Sequence, residues 1–185
     1  MQLSPLQMDE LRFIHVKIEP RVVPDLTQNH EQYQPFRFEN TRFGSHIEHV
    51  CAIENEESSV TNFIVALTIQ LPDGGENPPP YVVDAKCVGY FSIKKSAFPD
   101  FERRYDVGVV NGASLLYGAL RDLIATTTAR SWYGQLMLPA LNFQDNAPSL
   151  GGHDVVEPAE VSVQPAKKTA ARKRSSAKKT GTETS

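Results

Sequence analysis

The chain has 185 residues, of which 40% are apolar, and this length and composition suit one domain of ordinary size. No apolar stretch approaches the roughly 20 residues that a bilayer-spanning helix needs, and the first residues lack the basic and apolar regions of a secretory signal. Two cysteines, Cys51 and Cys87, are too few for a disulfide framework. We therefore expect a soluble cytoplasmic protein with two buried thiols.

The net charge of −3 conceals an uneven distribution of charge along the chain. Residues 165–185 carry seven basic residues and one acidic residue, whereas residues 1–164 carry 12 basic and 21 acidic residues. This division is typical of an acidic folded unit followed by a solvated basic arm. We predict that residues 165–185 form a disordered basic tail, because their Lys, Ala, Thr and Ser composition offers no core.

Four segments have the composition of β-strands: residues 11–18, 46–53, 63–71 and 81–93. In the first of them, Arg12, Ile14, Val16 and Ile18 are expected to share one half-buried face. The long connection that follows offers a further short edge strand at residues 36–38. Because the strands are joined by non-helical connections, we predict that they pair as an antiparallel meander.

The spacing of apolar residues changes to the helical period after residue 110. The pattern predicts a helix that is capped by Asn111 or Ser114 and ends near Arg130. Its apolar stripe is assigned to the helix core or to an interface between subunits, and consists of Leu116, Leu120, Leu123 and Ile124. Three consecutive threonines at 126–128 are poor helix formers, so packing must hold the last turn.

A strongly apolar segment, residues 132–143, follows the predicted helix. Gly134 and Pro139 interrupt it, so the segment is typical of neither a regular helix nor a regular strand.

No pattern of residues in the sequence predicts an enzyme. The chain has no glycine-rich phosphate loop, no nucleophile elbow and no Cys-x-x-Cys pair. His46 and His49 come nearest to a metal-binding pair, but residues three apart on a strand point to opposite faces of the sheet. We predict no catalytic residue, no metal ion and no cofactor.

The helix and the apolar segment resemble the SecB family of export chaperones. That family has an aromatic residue and an Arg-acidic pair in its long helix, followed by an aromatic residue, Pro or Gly, Gln-Leu, a further Leu, Pro and a closing Asn-Phe. In this chain the corresponding residues are Tyr117, Arg121, Asp122, Tyr133, Gly134, Gln135, Leu136, Leu138, Pro139, Asn142 and Phe143. Residues 89–93 are similar to the Gly-x-Phe-x-Ile end of a family strand. The order of strands, helix and loop agrees as well, so the resemblance covers residues 4–145.

The resemblance implies an α+β fold, in which a four-stranded antiparallel sheet packs on a long helix. It also implies subunits that pair into dimers and then into a homotetramer. We place the chaperone domain at residues 1–145. Residues 146–164 are assigned to a linker or to a remnant of the second family helix, because proline and glycine recur there.

The resemblance further implies a chaperone, not an enzyme, that binds unfolded or precursor polypeptides and keeps them soluble and competent for translocation. By analogy, the motor of the Sec translocase is a second partner. The expected client-binding residues are Trp132, Tyr133, Leu136, Met137, Leu138, Leu141 and Phe143, together with Ile47 and Phe91 on the strands. The alternative interpretation is that each of these residues belongs to the hydrophobic core and covers one end of the sheet.

Two other functions stay open at the level of sequence. The departures from the family pattern also suit a SecB-like chaperone dedicated to one client, such as the antitoxin of a toxin–antitoxin system. A nucleic-acid-associated protein would bind DNA or RNA through residues 165–185 in a salt-sensitive way. The tail has no aromatic residue for stacking on bases. A solubilising arm is the simplest interpretation of it, and an arm for an acidic partner is a further alternative.

Overall fold

The computed structural model describes residues 3–22, 35–51 and 57–150. Within them the chain forms four strands, one long helix and two short 3-10 helices. These elements are β1 (Leu6–Pro20), β2 (Gly44–Cys51), β3 (Val60–Leu71), β4 (Tyr81–Lys94), α1 (Phe101–Thr128), and the 3-10 helices Gln144–Asn146 and Pro148–Leu150. The predicted α+β fold, a four-stranded antiparallel sheet packed on a long helix, is confirmed.

Two expectations about the ends and connections of the chain have different outcomes. Residues 36–38 are not a strand in this structure, so the prediction of a short edge strand there is wrong. The basic tail at 165–185 and most of the assigned linker, from residue 151 onward, lie outside the described residues.

The strands lie in the order β1-β4-β3-β2, and all neighbours are antiparallel. Strands β2, β3 and β4 form the predicted meander. The meander prediction is wrong for β1, which pairs with β4 at one edge of the sheet and not with β2. β1 and β2 are consecutive in the chain but lie at opposite edges of the sheet, which is a Greek-key order of strands.

Strand β1 is irregular, with a shift of register between Phe13 and His15. Ile14 is the inserted residue of this bulge. Phe13 pairs with a buried position of β4 and Val16 with the next buried position, so both face the helix side of the sheet, whereas Arg12 faces the opposite side. The predicted common face that included Arg12 and Val16 is wrong, because one inserted residue changes the face of every residue after it.

Helix α1 begins ten residues before the first predicted cap, Asn111. Its N-cap is Asp100, whose carboxylate accepts a hydrogen bond from the backbone N–H of Arg103 at 3.3 Å. The predicted caps Asn111 and Ser114 therefore lie inside the helix. The predicted end near residue 130 agrees with the observed end at Thr128 within two residues.

The first half of α1 contains two glycines, Gly108 and Gly112, which have low helix propensity. In the structure they allow the helix to lie close against the sheet. A Cβ at Gly108 would be 3.1 Å from the ring of Phe63, and a Cβ at Gly112 would be 3.1 Å from Cγ2 of Val65. Tertiary packing thus outweighs the low helix propensity of these residues.

The hydrophobic core lies between α1 and one face of the sheet. Leu116, Leu120 and Ile124 are completely buried against β3 and β4, and Leu123 is half-buried. Cys87 is buried in this core and Cys51 is half-buried on β2. Within the described residues, no helix has the length and apolar character needed to cross a membrane.

The opposite face of the sheet is polar. Lys86 Nζ lies 2.7 Å from a carboxylate oxygen of Glu48, and His15 Nε2 on β1 lies 3.1 Å from a carboxylate oxygen of Asp84 on β4. His46 belongs to this exposed face, whereas His49 points towards the helix, where its Nδ1 lies 2.8 Å from the hydroxyl of Tyr105. The two histidines therefore lie on opposite faces of the sheet, as the sequence predicts.

Candidate client-binding surface

Ser131 and the apolar segment 132–143 form a turn and then an extended stretch without regular secondary structure. Together they are the 131–143 segment. Gly134 N–H donates to the carbonyl of Ser131 at 3.0 Å and closes the turn. Gly134 has a φ of 71°, in the left-handed region that favours glycine. The irregular geometry agrees with the prediction from the glycine and proline in the sequence.

Thr128, the last residue of α1, connects the helix to this segment. Its buried hydroxyl donates to the carbonyl of Ile124 at 2.7 Å and accepts from the backbone N–H of Leu136 at 2.8 Å. The hydroxyl therefore satisfies one backbone group of the extended stretch, which has no neighbouring strand to do so.

Two tyrosines hold the segment on either side of this point. The hydroxyl of Tyr81, on β4, accepts from the backbone N–H of Tyr133 at 3.1 Å and donates to the carbonyl of Gly134 at 2.8 Å. The hydroxyl of Tyr117, on α1, donates to the carbonyl of Pro139. Burial raises the pKa of Tyr117 to about 12, so this hydroxyl keeps its proton and its donor role at neutral pH.

Side chains in the extended stretch alternate between the core and the solvent. Leu136 and Leu138 are buried, whereas Gln135 and Met137 are exposed. This alternation is the two-residue period of an extended chain. Because of this period, every second side chain of the stretch points into the core, even where neighbouring residues are equally apolar.

The structure divides the nine predicted client-binding residues into two groups. Trp132 and Met137 are exposed, at 43% and 47% of their full area, and Tyr133 and Leu141 are half-buried. The other five are buried in the hydrophobic core of the subunit and hold the segment on the sheet: Leu136, Leu138, Phe143, Ile47 and Phe91. The alternation of the extended stretch turns Leu136 and Leu138 inward, while Ile47 and Phe91 point from their strands towards the helix. Client binding by the nine residues stays a prediction.

Tyr133 attaches the segment to its surroundings through both its ring and its hydroxyl. Its ring packs edge-on against Tyr81, with ring centroids 5.9 Å apart. Its hydroxyl donates to the carbonyl of Val22 at 2.8 Å, just beyond the end of β1. The segment is thus attached to both β1 and β4 at this end of the sheet.

An apolar row on β1 was missed by the sequence analysis. Met8, Phe13 and Val16 lie opposite buried residues of β4, yet each is between 40% and 43% exposed. Helix α1 packs mainly on β3 and β4. On the face of the sheet that contacts the helix, the edge formed by β1 is therefore left largely uncovered by α1. The signal was hidden in the sequence by the bulge at Ile14, which separates Phe13 and Val16 by three residues instead of two.

The chain is similar in sequence to a known export protein. Protein-export protein SecB from Anaplasma phagocytophilum (strain HZ) is 30% identical over 90 residues, which are 49% of this chain and 57% of that protein. The match therefore spans less than two thirds of the length of SecB. No protein-family model matches the chain.

Two solved structures are distantly similar in fold. The Mycobacterium tuberculosis SecB-like chaperone Rv1957, in complex with a ChAD peptide from the antitoxin HigA1, is 14% identical with a TM-score of 0.44; the match covers 74% of this chain and 90% of that one. A Streptococcus agalactiae protein of unknown function is 15% identical with a TM-score of 0.47; here 73% of this chain and 97% of that one are covered. The chain is thus similar to SecB over about half of its length, in agreement with the resemblance expected from the residues of the helix and the apolar segment.

Proposed function

We propose that this protein is a holding chaperone of the cytoplasm, which binds unfolded or precursor polypeptides and keeps them soluble and competent for translocation. The sequence likeness to SecB supports a chaperone role. The observation that carries the proposal is the exposure of Trp132 and Met137 on a segment whose backbone is held by buried hydroxyl groups. A tryptophan and a methionine are suited to contacts with many different apolar chains.

The energy available at one such site is small. Covering about 200 Å² of apolar surface contributes about 5 kcal/mol at about 25 cal/mol per Å², before the cost of ordering the client is subtracted. A long unfolded client that contacts several subunits would bind more tightly, because each further contact forms at a high effective concentration. Useful retention of clients therefore requires an oligomer.

The proposed oligomer is a homotetramer, a dimer of dimers. The uncovered row of Met8, Phe13 and Val16 supports association through the β1 side of the subunit. β1 is also a long edge strand, and no strand within the described residues pairs with its outer side. An interface there would cover apolar area and leave the 131–143 segment to clients.

Aggregation suppression on a chemically unfolded protein tests the proposed function. The double variant Trp132→Ala/Met137→Ala is expected to lose most of the suppression, because both exposed apolar contacts are removed. Ile64→Ala is the matched control, since Ile64 is similarly exposed but lies on the opposite, polar face of the sheet. Suppression that survives in the double variant, or that falls equally in the control, would show that this surface does not hold clients.

The finer roles can be separated with the same protein. A chaperone of export would bind many precursors and the motor of the Sec translocase, whereas a dedicated chaperone would bind a single client such as an antitoxin. Deletion of residues 165–185 tests the nucleic-acid alternative: suppression of aggregation should survive the deletion, and any salt-sensitive binding to DNA or RNA should not.

A further inference from the structure

We propose that Thr128 is a positioning residue, which sets the register of the 131–143 segment and so decides which of its side chains face a client. This inference rests on the proposed function and assigns the local control of that same surface. Thr128 itself is completely buried, so it acts on this surface only through the residues that it holds.

The hydrogen bonds of Thr128 connect helix α1 to the irregular 131–143 segment. Its hydroxyl donates to a carbonyl within α1, at Ile124, which leaves the hydroxyl oxygen free to accept from Leu136. The N–H of Leu136 is thereby satisfied inside the protein without a β-ladder. The helix terminus thus defines where Leu136 must lie.

Register matters in this segment because its side chains alternate. Leu136 points into the core, Met137 points to the solvent and Leu138 points into the core again. A shift of one residue would exchange Met137 with a buried leucine and would change the exposed surface completely. The hydroxyls of Tyr81 and Tyr117 hold the segment at residues 133–134 and 139, so Thr128 controls the stretch between them.

The chain supplies its own controls for this inference. Thr126 and Thr127 precede Thr128 in the same helical turn, and both are exposed. Valine has the shape of threonine but cannot accept a hydrogen bond, whereas serine keeps the hydroxyl. Loss of the acceptor at Thr128 can therefore be separated from a change of shape or of helix propensity.

The test compares Thr128→Val with Thr128→Ser, and uses Thr126→Val and Thr127→Val as controls. In Thr128→Val the amide of Leu136 is expected to exchange hydrogen about tenfold faster, since a buried hydrogen bond has been removed. Emission from Trp132 reports on the exposed side of the segment, because it is the only tryptophan in the chain. We expect this emission to change and client affinity to fall about fivefold or more in Thr128→Val. Thr128→Ser and both controls should behave like the wild type.

Each result has a definite meaning. Unchanged protection of the Leu136 amide in Thr128→Val would overturn the proposal, and so would faster exchange with unchanged client affinity. If Thr128→Val fails to fold, Thr128→Ala replaces it, because that variant also removes the hydroxyl that accepts from the amide of Leu136. The same readouts then judge the role of the Thr128 hydroxyl. A wild-type protein that does not bind unfolded protein would refute the proposed function, while the exchange and emission data would still judge the role of Thr128.

Discussion

Gly89 lies directly beneath the ring of Phe91, two residues further along β4. A Cβ at Gly89 would be 2.5 Å from Cε2 of Phe91 and 2.9 Å from Cδ2 of Leu116 on the helix. The ring and the helix thus occupy the space that a side chain at position 89 would need, which is a physical reason for glycine at this point of the strand.

Gly89→Ala is therefore expected to lower the free energy of unfolding by about 1–3 kcal/mol, because a completely buried ring and a helix must both move. Denaturant unfolding measures this change. The control is Gly118→Ala on α1, where the added Cβ would meet no side chain and no other element of the described residues within 4 Å. This control should be neutral or should gain up to about 1 kcal/mol from helix propensity. Equal effects in the two variants would contradict the close packing at Gly89.

The alternation in the 131–143 segment predicts opposite outcomes for two adjacent residues. Leu138→Ala removes a completely buried side chain and should cost about 2–5 kcal/mol of unfolding free energy. Met137→Ala removes an exposed side chain and should cost less than about 1 kcal/mol. Thermal or denaturant unfolding of the two variants checks the alternation, and a larger loss for Met137 than for Leu138 would show that the order is reversed.

The two cysteines should differ in their reaction with thiol reagents. Burial raises the pKa of the Cys87 thiol to about 12, so at pH 8 this group is protonated and lacks the reactive thiolate. Because the pKa is raised, an increase from pH 7 to 9 still leaves Cys87 unreactive. Cys51 is half-buried on β2 and should react first.

A thiol titration of the native protein should therefore show one fast group, and a second only after denaturation. Cys51→Ser should abolish the fast reaction. Two thiols that react at similar rates in the native state would mean that Cys87 is open to solvent.

The proposed association through β1 predicts a change of size on substitution. Phe13→Arg places a charge in the uncovered apolar row, so the mass measured by light scattering should fall towards that of a smaller assembly. Ile64→Arg introduces the same charge on the opposite face of the sheet and should leave the mass unchanged. A monomeric wild-type protein would exclude the proposed oligomer. A Phe13→Arg variant with the wild-type mass would show that the interface between subunits does not include this row.

Much of the fold was predictable from local patterns. The alternation of residues 63–71 and 81–93 identified β3 and β4, because a sheet buried on one face requires a two-residue period. The stripe at Leu116, Leu120 and Ile124 identified the helix for the corresponding reason, with a period of 3.6 residues. The interruption by Gly134 and Pro139 identified the irregular segment.

The remaining features depend on contacts between residues far apart in the chain. The N-cap of α1 was predicted at least eleven residues late, at Asn111 or Ser114 instead of Asp100. Gly108 and Gly112 are poor helix formers, and they are favourable only because they allow the helix to lie close to β3. The place of β1 beside β4 and the bulge at Ile14 depend on pairing across the sheet, which no local period records.

For the candidate surface, the sequence by itself determined that residues 132–143 are apolar and irregular. Tertiary structure decided that Trp132 and Met137 face the solvent while Leu136 and Leu138 fill the core. The physical reason is that composition sets how much apolar area a segment carries. The direction of each side chain depends on where hydroxyl groups from β4 and α1 hold the backbone.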